Sequence, residues 1–223
     1  MQTQMRYTIG IDEVGRGPLA GPVVVAAVAT TKLKVSSLKF KVPLRDSKKL
    51  SARQREKWFE WIKLTNNQRQ TTNNGYKLLY ATASVYPRVI DRINISRAAN
   101  LAATRALARL LGSRVKGMGS RVTVLLDGGL YLNEKSLLAS GYTLYPRTIA
   151  RGDEKYNCVK LASIVAKVKR DRLMRRYHKK FPQYGFNQHK GYGTGAHIAA
   201  IRRYGICPLH RLTFTGKFHN IKF

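Results

Sequence analysis

The chain has 223 residues, of which 42 are Lys or Arg and 11 are Asp or Glu, so its formal net charge is +31. This length suits one domain with a sizeable core, and the charge favours nucleic acid as the partner because neutralising phosphates releases counterions, with an anionic membrane surface or a ribonucleoprotein scaffold as alternatives. No segment is long and apolar enough to span a bilayer, and no signal-peptide pattern is present. The two cysteines, Cys158 and Cys207, give neither a disulfide framework nor a zinc site. We therefore expect a cytoplasmic protein.

The first half of the chain predicts six features. In order, they are a strand at 7–11, a turn rich in Gly and Pro at 15–22, a strand at 23–30, a helix that begins at 51, a strand at 76–85 and a helix at 96–111. Ser51 and Gln54 form a capping-box pattern at the start of the first helix, which carries Trp58 on its apolar side. Gly112 is expected to stop the second helix.

The second half of the chain predicts strands followed by helices. In order, they are strands at 121–126 and 142–149 and helices at 159–177 and 194–204. Thr194 is expected to cap the last helix and Gly205 to end it. The whole pattern indicates an α/β fold, with a mixed sheet flanked by helices. We expect residues 1–183 to form the main domain and residues 184–223 to form a helical extension packed on it.

The few acidic residues stand where predicted strands end. Asp12 and Glu13 follow the first strand, Asp127 follows the strand at 121–126, and Asp153 comes after the strand at 142–149. Ligand-binding residues of open α/β sheets gather at such strand ends. Converging carboxylates would repel each other unless cations neutralise them, and carboxylate oxygens suit Mg²⁺ or Mn²⁺. The alternative is that each acid pairs with a nearby Arg or Lys, and spacing alone leaves both interpretations open.

Residues able to contact a sugar or a phosphate lie near these acids: Gly15, Arg16, Gly17, Lys48, Lys49 and Tyr192. The Gly-Arg-Gly turn lets backbone amides approach a ligand closely while its arginine offers a fork of donors; the alternative is a plain tight turn. The two lysines place a pair of ammonium groups where they could contact a phosphate; the alternative is a solvated basic loop. The tyrosine, flanked by glycines, could stack on a sugar or base or pack beside a helix cap.

The sequence IGIDEVGRGPLAGPV at residues 9–23 resembles the amino-terminal signature of bacterial ribonuclease HII almost letter for letter. Further blocks that resemble the family follow in its order: DSKKLS at 46–51, LLDG at 125–128, GD at 152–153, ASIVAKVKRD at 162–171, HKGYGT at 189–194 and the pattern G…HR…F at 205–214. These blocks cover nearly the whole chain, so the sequence is similar to the type 2 ribonuclease H enzymes.

The resemblance implies a ribonuclease H fold and an endonuclease that cuts the RNA strand of RNA–DNA hybrids and incises duplex DNA at embedded ribonucleotides, leaving 5′-phosphate and 3′-hydroxyl ends. It also implies a site with two Mg²⁺ or Mn²⁺ ions. The matching positions for catalysis and metal binding are Asp12, Glu13, Asp127 and Asp153. The matching positions for substrate binding are Gly15, Arg16, Gly17, Lys48, Lys49, Ser163 and Tyr192. In the family, the Gly-Arg-Gly turn senses the ribose 2′-hydroxyl, and the tyrosine packs on a deoxyribose.

The expected partners are an RNA–DNA hybrid and ribonucleotide-containing duplex DNA. We expect a monomer without membrane contact, and the tail that ends at residue 223 has no clear sliding-clamp peptide. One rival interpretation is a non-catalytic basic protein that binds structured RNA, which would not need divalent metal. Another is a DNA nuclease of the same fold, but a turn that reads a 2′-hydroxyl is of no use on pure DNA.

Overall fold

A computed structural model describes residues 7–31, 42–67, 78–114 and 121–218. The strands in these ranges are β1 (Thr8–Val14), β2 (Val23–Thr30), β3 (Leu78–Val85), β4 (Arg121–Asp127) and β5 (Thr143–Ile149). The α-helices are α1 (Ala52–Asn67), α2 (Pro87–Ile93), α3 (Ile95–Arg114), α4 (Gly152–Lys155), α5 (Asn157–Lys180), α6 (Phe186–His189), α7 (Gly195–Tyr204) and α8 (Leu212–Thr215). Short 3₁₀ segments cover Ser47–Lys49, Glu134–Ser140 and Pro182–Tyr184.

The five strands form one mixed sheet in the order β3-β2-β1-β4-β5. β1 runs antiparallel to β2, which runs antiparallel to β3, whereas β4 is parallel to both β1 and β5. Because β5 is an edge strand, it tolerates Pro146, which lacks a backbone donor. Ile11 is aligned with Leu126, so Asp12 and Asp127, which follow them, lie side by side.

Helices cover both faces of the sheet. On one face, α3 packs Ala106 and Leu107 into the cluster that contains Ile11. On the other face, α1 and α5 pack Trp58 and Ile164 into a second cluster. The alternation of side chains along each strand sends neighbouring residues to these two apolar layers. Both faces are therefore buried at the central strand β2, whereas no residue of the edge strand β5 is buried.

Helix α5 lies directly against β1 at Gly10. A Cβ atom there would be 2.3 Å from the carbonyl carbon of Cys158, so only glycine allows the helix backbone to come this near. The next residue of β1 on the same face is Asp12, because alternate residues of a strand share a face. The close approach therefore brings this carboxylate to α5, where the Ser163 side chain hydrogen-bonds to it.

The expected mixed sheet flanked by helices is confirmed, and so are two predicted helix starts. At α1, the Gln54 amide donates to Ser51 Oγ at 3.2 Å and the Ser51 amide donates to Gln54 Oε1 at 2.8 Å. At α7, Thr194 Oγ1 accepts a hydrogen bond from the His197 amide at 3.3 Å, and Gly205 follows the last residue with a φ of 74°. Local capping chemistry was therefore readable from the sequence.

The boundaries of three elements were predicted wrongly. β1 extends to Val14, so Asp12 and Glu13 lie within the strand rather than after it, because the pairing with β2 continues to its end. Helix α3 continues through Gly112 to Arg114; glycine ends a helix where it adopts a left-handed conformation, and Gly112 does not. Helix α5 begins two residues before and ends three residues after the predicted range of 159–177.

Other features were not predicted, or stay predictions. Helix α2 was missed, although Pro87 at its first position is a common helix start. Residues 76–77 of the predicted third strand, and residues 219–223 of the tail, lie outside the described residues. The domain boundary at residue 183 stays a prediction. Among the helices that the structure describes, none is both long and apolar enough to cross a membrane.

Candidate active site

Three carboxylates from separate elements meet at one end of the sheet. Asp12 lies in β1, Asp127 ends β4, and Asp153 lies in α4. One potential ligand atom from each lies within 4.8 Å of the others, and Asp12 and Asp153 are buried while Asp127 is half-buried. Asp127 Oδ1 accepts a hydrogen bond from the Gly152 amide at 2.7 Å, which ties the start of α4 to the end of β4. We call these three residues the acid cluster.

Glu13 lies beside the acid cluster but is not part of it. Its Oε1 atom is 3.5 Å from Nη1 of Arg16. Its Oε2 atom is buried and has no hydrogen-bond partner among the described residues. The structure therefore brings together three of the four predicted carboxylates as a single group and leaves the fourth adjacent, with one oxygen atom unsatisfied.

Burial and mutual repulsion both disfavour the charged carboxylates. Burial raises the pKa of Asp12 well above its usual value, and the charges of Glu13 and Asp127 add to this rise. Burial raises the pKa of Glu13 to about 7, although the nearby Arg16 opposes the rise. Burial also raises the pKa of Asp153, with a further contribution from the charge of Asp127 and opposition from a nearby lysine. The site thus holds more negative charge than its surroundings balance.

The donors of this site fit a hard divalent cation. They are all carboxylate oxygens, which Mg²⁺ and Mn²⁺ prefer, and the unsatisfied Oε2 atom of Glu13 lacks the partner that a buried oxygen normally has. The rival interpretation required every acid to pair with Arg or Lys. In the described part of the chain, ion pairs within 4.0 Å reach Glu13 and Asp153 but not Asp12 or Asp127, so that interpretation fails for two of the four.

Lys48 and Ser163 contact different carboxylates of the acid cluster. Lys48 Nζ is 3.7 Å from Asp153 Oδ2, and its side chain is 80% exposed. Ser163 hydrogen-bonds to Asp12, and its Oγ atom is 2.7 Å from Oγ of Ser47. Lys48 therefore has a free approach for an incoming anion, whereas Ser163 is buried between two polar groups.

Lys49 contacts the residue that follows Asp153 and not the acid cluster itself. Its Nζ atom is 3.3 Å from Oε1 of Glu154, the neighbour of Asp153. The 3₁₀ segment that carries both lysines is capped by Asp46, whose Oδ1 atom accepts from the Lys48 backbone amide at 3.0 Å. The loop thus presents two ammonium groups along the rim of the site.

The Gly-Arg-Gly turn lies between the acid cluster and Tyr192. Gly15 has a φ of +96°, and a Cβ there would be 2.3 Å from Nε of Arg170, so the turn requires glycine. Besides its contact with Glu13, Arg16 donates from Nη2 to the Gly129 carbonyl, in the loop after β4, at 3.3 Å. A Cβ at Gly17 would first meet the Tyr192 ring, at 4.0 Å. Tyr192 is itself exposed, at 41%.

Two buried arginines bind backbone carbonyls of the Gly-Arg-Gly turn and of the residues that follow it, and the sequence did not single them out. Arg211 donates from Nη2 to the Gly15 carbonyl at 2.6 Å, from Nη1 to the Arg16 carbonyl at 2.8 Å, and from Nε to the Gly21 carbonyl at 3.0 Å. Burial lowers the pKa of Arg211 to about 9, which still leaves it charged at neutral pH. We call the two arginines and the carbonyls they bind the turn clamp.

Arg170, the second member of the turn clamp, comes from α5. It donates from Nε to the Pro22 carbonyl at 3.0 Å, from Nη2 to the Ala20 carbonyl at 3.1 Å and from Nη1 to the Lys190 carbonyl at 2.9 Å. Among 42 basic residues the default expectation for any arginine is an exposed position. The available signal was that Arg170 and Arg211 both fall inside the family-like blocks.

The segment after residue 184 joins the turn through its backbone. The Leu19 amide donates to the Gly191 carbonyl at 2.8 Å, the Gly21 amide donates to the Leu209 carbonyl at 2.8 Å, and the Arg211 amide donates to the Leu19 carbonyl at 2.8 Å. The conformation of the turn therefore depends on residues almost two hundred positions later in the chain.

Comparisons with known proteins agree on one family. The model of the ribonuclease HII family matches residues 9–217. Ribonuclease HII of Endomicrobium trichonymphae is 43% identical over 206 residues, which are 92% of this chain and 84% of that protein. The ribonuclease H2 from Pyrococcus horikoshii OT3 has a solved structure that is 25% identical, with a TM-score of 0.66 and 93% of each chain covered.

A more distant solved structure has the same fold. Bst-RNase HIII in complex with Mn²⁺ is 18% identical, with a TM-score of 0.68, and the match covers 96% of this chain and 68% of that one. The fold class expected from the sequence, a ribonuclease H-like α/β fold, is thereby confirmed. The family match spans almost all of the described elements, and the chain belongs to the ribonuclease HII family and is a hydrolytic ribonuclease H.

Proposed function

We propose that this protein is an endonuclease that hydrolyses the RNA strand of RNA–DNA hybrids and incises duplex DNA at embedded ribonucleotides, leaving 5′-phosphate and 3′-hydroxyl ends. The observation that carries the proposal is the convergence of Asp12, Asp127 and Asp153 within 4.8 Å in a chain of net charge +31. A polyanion would be drawn to the basic protein and cut at this acidic site. Membership of the ribonuclease HII family supports the substrate class.

The acid cluster and Glu13 would hold the divalent cations, Mg²⁺ or Mn²⁺, and we propose two of them. When bound, such ions supply activation of the attacking water and stabilisation of the leaving oxygen in an in-line displacement. The chain's own part is to aim the carboxylates: the Gly152 amide fixes Asp127, and the Ser163 side chain holds Asp12. Because Glu13 has an unsatisfied buried oxygen, it gains a partner when a cation binds.

Lys48 and Lys49, at the rim of the site, would bind and orient the substrate backbone. Lys48, exposed beside Asp153, is suited to hold the phosphate next to the cut, and Lys49 is suited to hold a neighbouring phosphate. We propose that the amides of Gly15 and Gly17 read the ribose 2′-hydroxyl, the group that distinguishes RNA from DNA. The turn clamp supports this role, because it engages carbonyls of the turn and fixes the backbone that carries these amides.

Tyr192 would contact the sugar that follows the cut. Its exposed ring lies next to the Gly-Arg-Gly turn, so a nucleotide read by the turn would bring its 3′ neighbour over the ring. Aromatic rings bind sugars and bases through stacking without a requirement for sequence. The turn and the tyrosine together would therefore recognise a junction from ribonucleotide to deoxyribonucleotide.

The test uses labelled duplexes in which one strand is all RNA, all DNA, or DNA with a single ribonucleotide, incubated with Mg²⁺, with Mn²⁺ or with EDTA. We expect cleavage of the first and third substrates only, and only with a divalent ion. Binding without metal-dependent cleavage would instead favour an RNA-binding protein. Cleavage of the all-DNA duplex would favour a DNA nuclease and would remove the proposed role of the turn.

A further inference from the structure

Two buried histidines lie behind Tyr192. His197, in α7, is fully buried, and His210 is 3% exposed. Their Nε2 atoms are 3.1 Å apart. Nδ1 of His197 is 2.9 Å from the Tyr192 carbonyl oxygen, and Nδ1 of His210 is 2.9 Å from the backbone nitrogen of Cys207. The pair thus forms a continuous chain of hydrogen bonds from one loop to the Tyr192 backbone.

The backbone partners determine where the protons of this chain lie. A carbonyl only accepts, so Nδ1 of His197 carries a hydrogen and its Nε2 does not. The Cys207 amide donates to Nδ1 of His210 and is nearer than the Cys207 carbonyl, at 2.9 Å against 3.3 Å. A neutral imidazole has one N–H group, so Nε2–H of His210 donates to Nε2 of His197. Burial lowers the pKa of His197 to about 4, which agrees with a neutral ring.

Further contacts fix the same stretch of backbone. The Tyr192 amide donates to the His189 carbonyl at 3.0 Å, and the Thr194 amide donates to the Tyr192 carbonyl at 2.8 Å. The His189 ring stacks on His197 with centroids 4.3 Å apart, and its Nδ1 accepts from the Gly191 amide at 3.1 Å. The main chain of Tyr192 is therefore held from the interior, although the residue as a whole is exposed.

We propose that His197 and His210 are positioning residues that fix the Tyr192 main chain and thereby hold its ring in register with the Gly-Arg-Gly turn. The pair lies among Tyr184 and Phe186, where an apolar side chain could fill the space. Such a side chain could not donate to the Tyr192 carbonyl, which explains why histidines occupy an otherwise apolar cluster. The inference rests on the proposed function, because it requires Tyr192 to contact substrate.

The test is a double-mutant cycle between His197→Phe and Tyr192→Ala, with KM and kcat measured on the single-ribonucleotide duplex. In the parent, His197→Phe should raise KM about fivefold to tenfold, as expected for one lost hydrogen bond, and should change kcat less than about twofold. In the Tyr192→Ala background it should have no further effect. A KM effect of His197→Phe that persists undiminished in that background would overturn the proposal.

Two further measurements keep the inference independent of protein folding and of the proposed function. His197→Asn can still donate from the position of Nδ1, so it should restore KM towards the parent value; failure to do so in a folded variant counts against the hydrogen bond. Nitrogen NMR of the ¹⁵N-histidine-labelled full chain should find the Nδ1–H tautomer at His197 and the Nε2–H tautomer at His210. The opposite tautomers would refute the proposed hydrogen bonds from His210 through His197 to the Tyr192 carbonyl. An unchanged KM in Tyr192→Ala alone would instead refute the proposed contact of Tyr192 with the substrate.

Discussion

The acid cluster and the turn clamp bury charge in opposite ways. In the acid cluster, carboxylates of like charge converge, burial and repulsion raise the pKa of Asp12 and Asp153, and Glu13 beside them has an unsatisfied oxygen. In the turn clamp, Arg170 and Arg211 are fully buried and donate hydrogen bonds to backbone carbonyls. A buried charge with matched partners stabilises a conformation, whereas a buried cluster left unbalanced is suited to bind something of opposite charge.

The same contrast separates the acids of this chain. Asp171 pairs with Lys167 at 2.9 Å and Glu56 pairs with Arg175 at 3.0 Å, so the salt-bridge interpretation is right for them. It fails for Asp12, which has no such cation within 4.0 Å in the described part of the chain. With 42 basic residues available, leaving this acid without a basic partner is a property of the site and not a shortage of cations.

The largest effect should come from neutralising the acid cluster. Asp12→Asn and Asp127→Asn should each lower kcat by at least about 10³-fold, because removing one member of a catalytic group disables the whole. Single-turnover cleavage of the hybrid measures this. Glu134→Gln is the matched control, since it removes one exposed negative charge elsewhere. Cleavage near the parent rate by either aspartate variant would contradict the metal-site assignment.

The stability of the same variants sharpens the comparison. In EDTA, Asp12→Asn should melt at the same or a higher temperature than the parent, because it removes a buried charge that has no cationic partner. Addition of Mn²⁺ should raise the melting temperature of the parent more than that of the variant, since ligand binding to the folded state stabilises it. Equal shifts in both proteins would indicate that the ion binds elsewhere.

The turn clamp should behave in the opposite way. Arg211→Met should lower the free energy of unfolding by about 3 kcal/mol or more, because three carbonyls lose their donor and each unsatisfied buried group costs roughly 1–3 kcal/mol. Urea denaturation measures the loss, and Arg202→Met, at an exposed position of α7, should change stability by less than about 0.5 kcal/mol. An Arg211→Met protein with the same free energy of unfolding as the parent would show that the turn does not depend on the hydrogen bonds of Arg211.

Sequence and structure agree where the signal is local and diverge where it depends on distant contacts. The Ser51 cap and the Thr194 cap were readable because each is set by a few adjacent residues. The acids were found close to the ends of their strands, but Asp12 lies within β1 rather than after it. The turn clamp was not readable, since Arg211 meets Gly15 only through the folded path of the chain. The same holds for the histidines behind Tyr192, which spacing alone cannot distinguish from surface residues.

A smaller effect is expected from Arg16, which borders both regions. It is half-exposed and lies 3.5 Å from Glu13. Arg16→Ala should cost about 1–3 kcal/mol of transition-state binding, the range for a hydrogen bond to a charged group, and more on a single-ribonucleotide duplex than on a continuous hybrid. Comparison of kcat/KM on the two substrates measures the difference, with Arg202→Ala as control. Equal slowing on both substrates would remove the junction-sensing role.

The smallest effect should come from Ser163, and it decides between two roles. The resemblance implies that Ser163 binds phosphate, yet in the structure it is buried and hydrogen-bonds to Asp12, lowering the pKa of that carboxyl against the stronger effect of burial. If it acts on Asp12, Ser163→Ala should lower kcat about fivefold, from the loss of about 1 kcal/mol, and raise the Mg²⁺ concentration needed for half-maximal rate. Ser47→Ala should do less, because Ser47 reaches Asp12 only through Ser163. If Ser163→Ala instead raises KM for the duplex at an unchanged Mg²⁺ requirement, its hydroxyl contacts the substrate and not the acid cluster.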